Sequence, residues 1–341
     1  MVFRSKAPLR IGLAGGGTDV DPYCEIYGGA VINAAISHYA FADIELLDSD
    51  QIILVSADRH VSFQSDINTP LNIDGSLDLL KGMYNKILRD YGNFSSGFRL
   101  STTADAPLGS GLGTSSTLMV AITGAFRQML SLSMRNEEIA DFAYEVERND
   151  LAFAGGKQDQ YAAAFGGLNY MEFLPGNKTT VLPLKISDQS LKKLEDNLVL
   201  YYSSLSRESS SIIEEQQQNV LGNNQSSIDA MHSLKQQSGM MYDALITSRI
   251  DDIGPILDFG FQHKKKMASN ISNPLLDNMY KEAMKAGSTG GKISGAGGGG
   301  FMIFYCPDDT RNLVCQALHK FGGYEKPFTF SSHGLQTWEA Q

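Results

Sequence analysis

Apolar positions along this chain fall into two patterns, stripes of helical period and short unbroken runs bounded by polar turns. Ile52, Ile53, Leu54 and Val55 predict a strand, and residues 44–47 a weaker one. Over 116–130, Leu118, Ala121, Ile122, Ala125 and Met129 recur at the i, i+3, i+4 spacing of one helical face. A second stripe of Ile139, Phe142, Ala143 and Val146 predicts another helix, with Glu137 and Glu138 where the positive end of its dipole favours them. Residues 301–305 (Phe, Met, Ile, Phe, Tyr) carry no charge and read as a buried strand. The segment 203–238 is rich in Ser, Gln and Asn, yet Ile212 and Ile213 beside Glu214 and Glu215 predict a polar-faced helix rather than disorder. Helices are expected to fill most of 205–286, and strands to flank a last helix over 310–321. The mixture predicts an α+β protein divided near residue 190, after the stretch 183–187, into units of 1–190 and 191–341.

Composition narrows the chemistry. A chain of 341 residues, 42% hydrophobic and 19% charged, can bury a sizeable core, more readily as two packed units than as one. Its net charge of −10 argues against a nucleic-acid partner, because phosphate backbones require clustered Lys and Arg. A small anion is another matter, since a glycine nest or a helix N-terminus holds phosphate inside an acidic protein. Cys24, Cys306 and Cys315 share no CxxC spacing, so free thiols are expected rather than disulfides or a zinc site. With no signal-like opening segment and no apolar run of membrane-spanning length, a cytoplasmic location without a membrane partner is expected.

The glycines bunch. The run PLGSGLGTSS over 107–116 directly precedes the Leu118 helix. Glycines at alternate positions let the backbone turn sharply and aim several N–H groups at one point, and a helix N-terminus adds the dipole. Thr114, Ser115 and Ser116 supply hydroxyls for phosphate oxygens or a metal ion. The spacing matches neither GxxxxGK[ST] nor GxGxxG, which disfavours a dinucleotide oxidoreductase. A late cluster, GKISGAGGGG over 291–300, formally contains GxGxxG at Gly295, Gly297 and Gly300, but it runs into the predicted strand at 301 instead of opening a helix, as suits close backbone approach to a ligand. Near the start, RIGLAGGGTD over 10–19 ends on Asp19, which can accept hydrogen bonds from sugar hydroxyls or stabilise a turn. Finally, Asp159 sits between Gly155-Gly156 and a small-residue stretch, at the base of a crowded pocket or at a helix N-terminus.

In this order and spacing the clusters resemble the three motifs of the GHMP kinase superfamily, at 8–19, 107–117 and 292–300, over essentially the whole chain. Within it, the GGGTD and GGKQDQ runs look most like D-glycero-D-manno-heptose 7-phosphate kinases, with the kinase part of L-fucose kinases next. The resemblance implies a ribosomal-protein-S5-domain-2-like N-terminal domain, a ferredoxin-like C-terminal domain, and ATP with its substrate in the cleft between them. It places the phosphate loop on Pro107, Gly109, Ser110, Gly111, Leu112, Gly113, Thr114, Ser115 and Ser116. It places Mg2+ on Ser115, with Ser116 as the alternative, and on Glu147, with Glu145 as the alternative. The catalytic Asp falls on Asp159, the catalytic basic residue on Arg10, and sugar contacts on Gly16, Gly17, Thr18, Asp19, Gly297 and Gly298. Where galactokinases carry Glu-His before the motif-one Asp, this chain has Gly-Gly, which argues against a galactose-type hexose.

The implied reaction moves the γ-phosphate of ATP to a sugar hydroxyl, the anomeric 1-OH of heptose 7-phosphate being the leading expectation. An L-fucose-type 1-kinase and a non-catalytic ATP- or sugar-binding regulator are the alternatives. A sugar already bearing a phosphate needs a cation at the far end of its pocket. Lys157 is the first candidate, with Arg207 and Lys6 behind it; Lys264, Lys265 and Lys266 read as a solvated helix face.

Overall fold

The computed structural model describes residues 1–205 and 210–340. Its first sheet is formed by β1 (Val2–Ala14), β2 (Gly29–Leu46), β3 (Gln51–Ser56), β4 (Val61–Asp66), β5 (Phe98–Ala104), β6 (Leu168–Leu174) and β7 (Lys178–Pro183). All pairings are antiparallel except β3 with β5. Strand β2 is its spine: residues 40–46 pair with β5, and residues 29–34 pair with β6. The sequence predicts only 44–47 of this strand. Its first eight residues are buried on both faces, so the apolar–polar alternation that marks a strand is missing there.

One face of this sheet is covered by α2 (Asp78–Tyr91), α3 (Thr114–Met129), α4 (Asn136–Tyr144) and α5 (Gln158–Phe165), while a short α1 (Tyr23–Tyr27) follows β1. Helix α3 runs through the middle of that layer and is buried all round, with Met119, Ile122 and Phe126 at 0% exposure. Each such side chain contributes about 1.5–3 kcal/mol of transfer free energy, which fixes the N-terminal end of α3 firmly against the sheet.

A second, four-stranded antiparallel sheet holds β8 (Leu198–Tyr202), β9 (Gly290–Ile293), β10 (Phe301–Tyr305) and β11 (Tyr324–Glu325), in the order β11-β8-β10-β9. Helix α6 (Asp188–Asn197) leads into it. Helices α7 (Ser210–Leu221), α8 (Gln225–Ile246), α9 (Ile253–Lys264) and α10 (Pro274–Lys285) fill the stretch expected to be helical, and α11 (Arg311–His319) is the predicted last helix. The final strand, β12 (Gln336–Ala340), pairs with β1, so the chain end lies in the first sheet although it falls within the expected 191–341 unit. Among the described residues no helix is long and apolar enough to cross a membrane.

The two sheets share a core. Leu9, Ile11, Leu13 and Ile32 of the first pack into one apolar cluster with Leu200, Phe301 and Ile303 of the second, and with Met241 and Leu257 of α8 and α9. That shared apolar core holds the two sheets together.

Candidate active site

A cavity of about 760 Å3 opens where β1, the loop before α3 and the β9–β10 loop meet, a volume suited to a small-molecule site. The three glycine clusters converge on it through hydrogen bonds to main-chain carbonyls. Arg10 N donates to Leu112 O at 3.1 Å, Phe301 N to Ser110 O at 2.9 Å, and Ser294 Oγ to Gly111 O at 2.7 Å. A Cβ at Gly111 would lie 2.5 Å from Ser294 O, so the second and third clusters can meet this closely only because the position is glycine.

Gly109, Gly111 and Gly113 all take positive φ, at 74°, 86° and 74°. Gly113 is the N-cap of α3 and brings no capping side chain, so the first-turn amides stay available to an anion. Gly109, Gly111, Gly113, Thr114, Ser115 and Ser116 line the cavity. Pro107, Ser110 and Leu112, expected beside them, do not. Leu112 is buried in the shared core, and Ser110 lies buried 3.4 Å from the Thr114 hydroxyl. Pro107 lines a separate hollow of about 520 Å3 with Asp58 and Arg59, and Leu108 lines both spaces.

Arg10 and Asp159 form an ion pair in this site. Nε and Nη2 of Arg10 lie 2.7 and 2.6 Å from Asp159 Oδ1, and Nη1 donates to Gly111 O at 2.7 Å. The β1–β2 register shifts between Pro8 and Arg10, the kind of irregularity that re-aims a side chain. Asp159 stands in the first turn of α5. Both Arg10 contacts fall on Oδ1, so among the described residues Oδ2 has no hydrogen-bond donor.

Asp19 is buried beside this pair. Its Oδ1 accepts from Gly17 N at 3.1 Å and Gln158 Nε2 at 2.9 Å, and Oδ2 accepts from Gln158 N at 3.1 Å. Burial raises its pKa first and the nearby Asp159 charge adds to that, against the opposing pull of the backbone donors. Gly16 and Gly17 line the cavity with it. Thr18 does not: its hydroxyl lies 2.8 Å from Gly15 O and 2.9 Å from Ala30 O, either of which can take its one proton, and it accepts from Ala30 N, which makes it an internal brace of the turn.

A π-helical turn over Glu145–Asp150 follows α4 and places the consecutive residues Glu147 and Arg148 on the cavity wall together. Glu147 is almost fully buried, accepting from Ser115 through Oε1 and, through Oε2, from Ser116 at 2.7 Å and Gln160 at 2.8 Å. Arg148 lies 3.2 Å from Glu147 Oε1 and donates to Ser116 Oγ at 3.1 Å. Glu145 instead reaches the surface and pairs with Lys86 at 2.9 Å.

Several expected contacts fall elsewhere. Lys157 is not on the cavity wall; its ammonium lies 3.7 Å from Asp21 and over the Tyr144 ring. Lys6 stacks on Tyr39. Gly297 and Gly298 are turned toward Ile271, with Gly298 N donating to Ile271 O at 2.8 Å; Gly295 and Ala296 face the cavity in their place. Arg207 lies outside the described residues. Conversely, Lys264 and Lys292 are buried and line the cavity. Lys264 therefore departs from the expected solvated face, whereas Lys266 is exposed. Its position had a signal: Leu257, Phe261 and Lys264 recur at i, i+4, i+7 and share the buried stripe of α9.

Comparison with known proteins adds an independent line. The GHMP kinases N terminal domain pattern matches residues 78–167, and the GHMP kinases C terminal pattern residues 241–323. The chain is 41% identical over 336 residues, 98% of each sequence, to D-glycero-alpha-D-manno-heptose 7-phosphate kinase of Campylobacter jejuni. Its structure superposes on that of a D-glycero-D-manno-heptose 1-phosphate kinase from Bacteroides thetaiotaomicron with a TM-score of 0.84, at 40% identity and 99% coverage of both chains. Lactococcus lactis galactokinase, at 19% identity and a TM-score of 0.77 over 98% of this chain and 95% of that one, shares the fold.

Proposed function

The chain belongs to the GHMP kinases and is an ATP-dependent kinase, and from that premise we propose that it phosphorylates the anomeric 1-hydroxyl of D-glycero-D-manno-heptose 7-phosphate. The observation that carries this reading is the Arg10–Asp159 pair, set between the glycine loop at the head of α3 and the buried acceptor Asp19. Phosphoryl transfer asks little covalent chemistry of a protein; it asks for in-line placement and for charge stabilisation around the moving group.

The amides of Gly109–Ser116 (109–116) hold the nucleotide's phosphates, and the hollow past Leu108 gives its nucleoside end room. Asp19 accepts from sugar hydroxyls. Asp159 presents Oδ2 to the attacking hydroxyl and takes its proton, while Arg10 holds Oδ1 and so fixes which oxygen reacts. The Arg10 guanidinium also offsets charge developing on the transferred group.

The donor set near the phosphates fits Mg2+. Glu147 and Ser115 both face the cavity, and no group of three or more acidic, His or Cys side chains among the described residues would hold an ion alone. A metal that keeps substrate phosphates as its main ligands needs only one or two protein oxygens. Bound there, Mg2+ would neutralise charge on the β- and γ-phosphates. Glu147 and Ser115 would hold it, with Arg148 released from the carboxylate toward phosphate oxygen.

The test is ADP release measured with heptose 7-phosphate, L-fucose, galactose and mevalonate, with the product examined by phosphorus NMR. A new anomeric phosphate on the heptose alone is expected. Preferred turnover of L-fucose, or ATP binding without turnover of any of them, would overturn the assignment.

A further inference from the structure

Two lysines that take no part in the Arg10–Asp159 pair face the same cavity. Lys264 ends α9 and Lys292 lies in β9; each is 4% exposed. Lys264 Nζ donates to Gly295 O at 2.7 Å and lies 3.5 Å from Gly16 O, and Lys292 Nζ donates to Gly12 O at 2.9 Å. Among the described residues neither makes an ion pair; main-chain carbonyls are their hydrogen-bond partners.

Burying an ammonium costs several kcal/mol of hydration, and carbonyl dipoles restore only part of it. Placing two together, within reach of Arg10, adds mutual repulsion. Such an arrangement is compensated when an anion enters. Its location selects which anion. A Cβ at Gly16 would lie 3.8 Å from Lys264 Nζ and 4.0 Å from Lys292 Nζ, so both ammonium groups look onto the turn that carries Asp19. In the proposed function the nucleotide's phosphates take the uncapped amides at the head of α3. The lysines belong to the acceptor's side.

We infer that Lys264 and Lys292 form an anion subsite for the phosphate ester that the sugar already carries, and so select phosphorylated over unphosphorylated sugars. The inference rests on the phosphosugar reading of the function and supplies the cation that Lys157 was expected to provide. Desolvation supports it: burial pushes the Lys264 ammonium down to about 8 and that of Lys292 well below its usual range, and an arriving dianion favours the protonated forms of both.

The experiment measures binding by calorimetry without nucleotide, using heptose 7-phosphate, mannose 6-phosphate and mannose, on the wild type and on Lys264→Met, Lys292→Met and Lys264→Arg. ATP affinity is measured in parallel. The wild type is expected to prefer the phosphorylated over the unphosphorylated hexose. Each Met variant should lose that preference by roughly tenfold or more, with ATP affinity unchanged, and Lys264→Arg should retain most of it. If a Met variant fails to fold by circular dichroism, the corresponding Gln variant replaces it with the same expectation. Loss of ATP affinity with the sugar preference intact would place the lysines on the nucleotide's phosphates and overturn the inference, as would a wild type with no preference. Because binding is read without turnover, selective phosphosugar binding by an enzyme that transfers nothing to the heptose would sink the proposed reaction while leaving the subsite standing.

Discussion

Gly156 lies against Asp19 so closely that a Cβ there would stand 2.0 Å from Asp19 Oδ2. Asp19 is held in place by three hydrogen bonds. Gly156 has no positive φ, so Gly156→Ala fails by contact rather than by backbone strain. It should fold with a stability loss of about 1–3 kcal/mol. The KM for the sugar should rise roughly tenfold or more, with the KM for ATP little changed, as steady-state kinetics with each substrate varied will report.

The two glutamates of the π-helical turn separate cleanly. Glu147 shares the cavity wall with Ser115, whereas Glu145 pairs with Lys86 outside it. Glu147→Gln should raise the Mg2+ concentration for half-maximal activity by about tenfold or more, and weaken Mg2+-dependent ATP binding in parallel. Glu145→Gln should leave both unchanged and cost only about 1–2 kcal/mol, because Asp90 still pairs with the buried Lys86 ammonium. Magnesium titrations with either readout check this.

Lys264 gives the reaction an alkaline limit. Its folded-state pKa is lowered to about 8 from 10.5, chiefly by burial, with Asp19 and Asp159 raising it and Arg10 lowering it further. A depressed lysine pKa means the ammonium persists below that value and is lost as pH rises through it. The phosphosugar KM should therefore climb above about pH 8 in the wild type. In Lys264→Arg, which stays charged, the climb should be weaker. KM–pH profiles of the two enzymes decide the point.

The shared core makes a thermodynamic prediction. Leu9, Ile11, Phe301 and Ile303 pack in one cluster although they come from different sheets. Scanning calorimetry should show one cooperative transition, with calorimetric and van't Hoff enthalpies equal. Ile303→Ala should lower the whole transition, by about 2–5 kcal/mol in stability, without splitting it.

What the sequence revealed follows from which signals are local. Helix α3 and strand β10 were legible because their apolar patterns are complete within a short window. The loops at 10–19, 107–116 and 291–300 were legible because glycine marks positions where backbones meet, and Gly111 against Ser294 shows why. Side-chain direction was not. Ser110 and Leu112 alternate with glycines and turn inward, which spacing along the chain does not reveal. Lys292 sits in a strand buried at all four positions, so no alternation separates it from Gly291 and Ile293. Strand β12 has only two strand-favouring residues, Thr337 and Trp338, too few to mark a strand by alternation, and it pairs along the edge that β1 offers.

In the proposed reaction Asp159 accepts the hydroxyl proton while Arg10 holds its other oxygen. The most direct measurement is kcat for heptose 7-phosphate in Asp159→Asn and Arg10→Ala, with thermal denaturation and ATP affinity as controls. Falls of about 100-fold or more, about 2.7 kcal/mol of barrier, in folded enzymes that still bind ATP are predicted. Falls smaller than about tenfold, under ~1.4 kcal/mol, would contradict it.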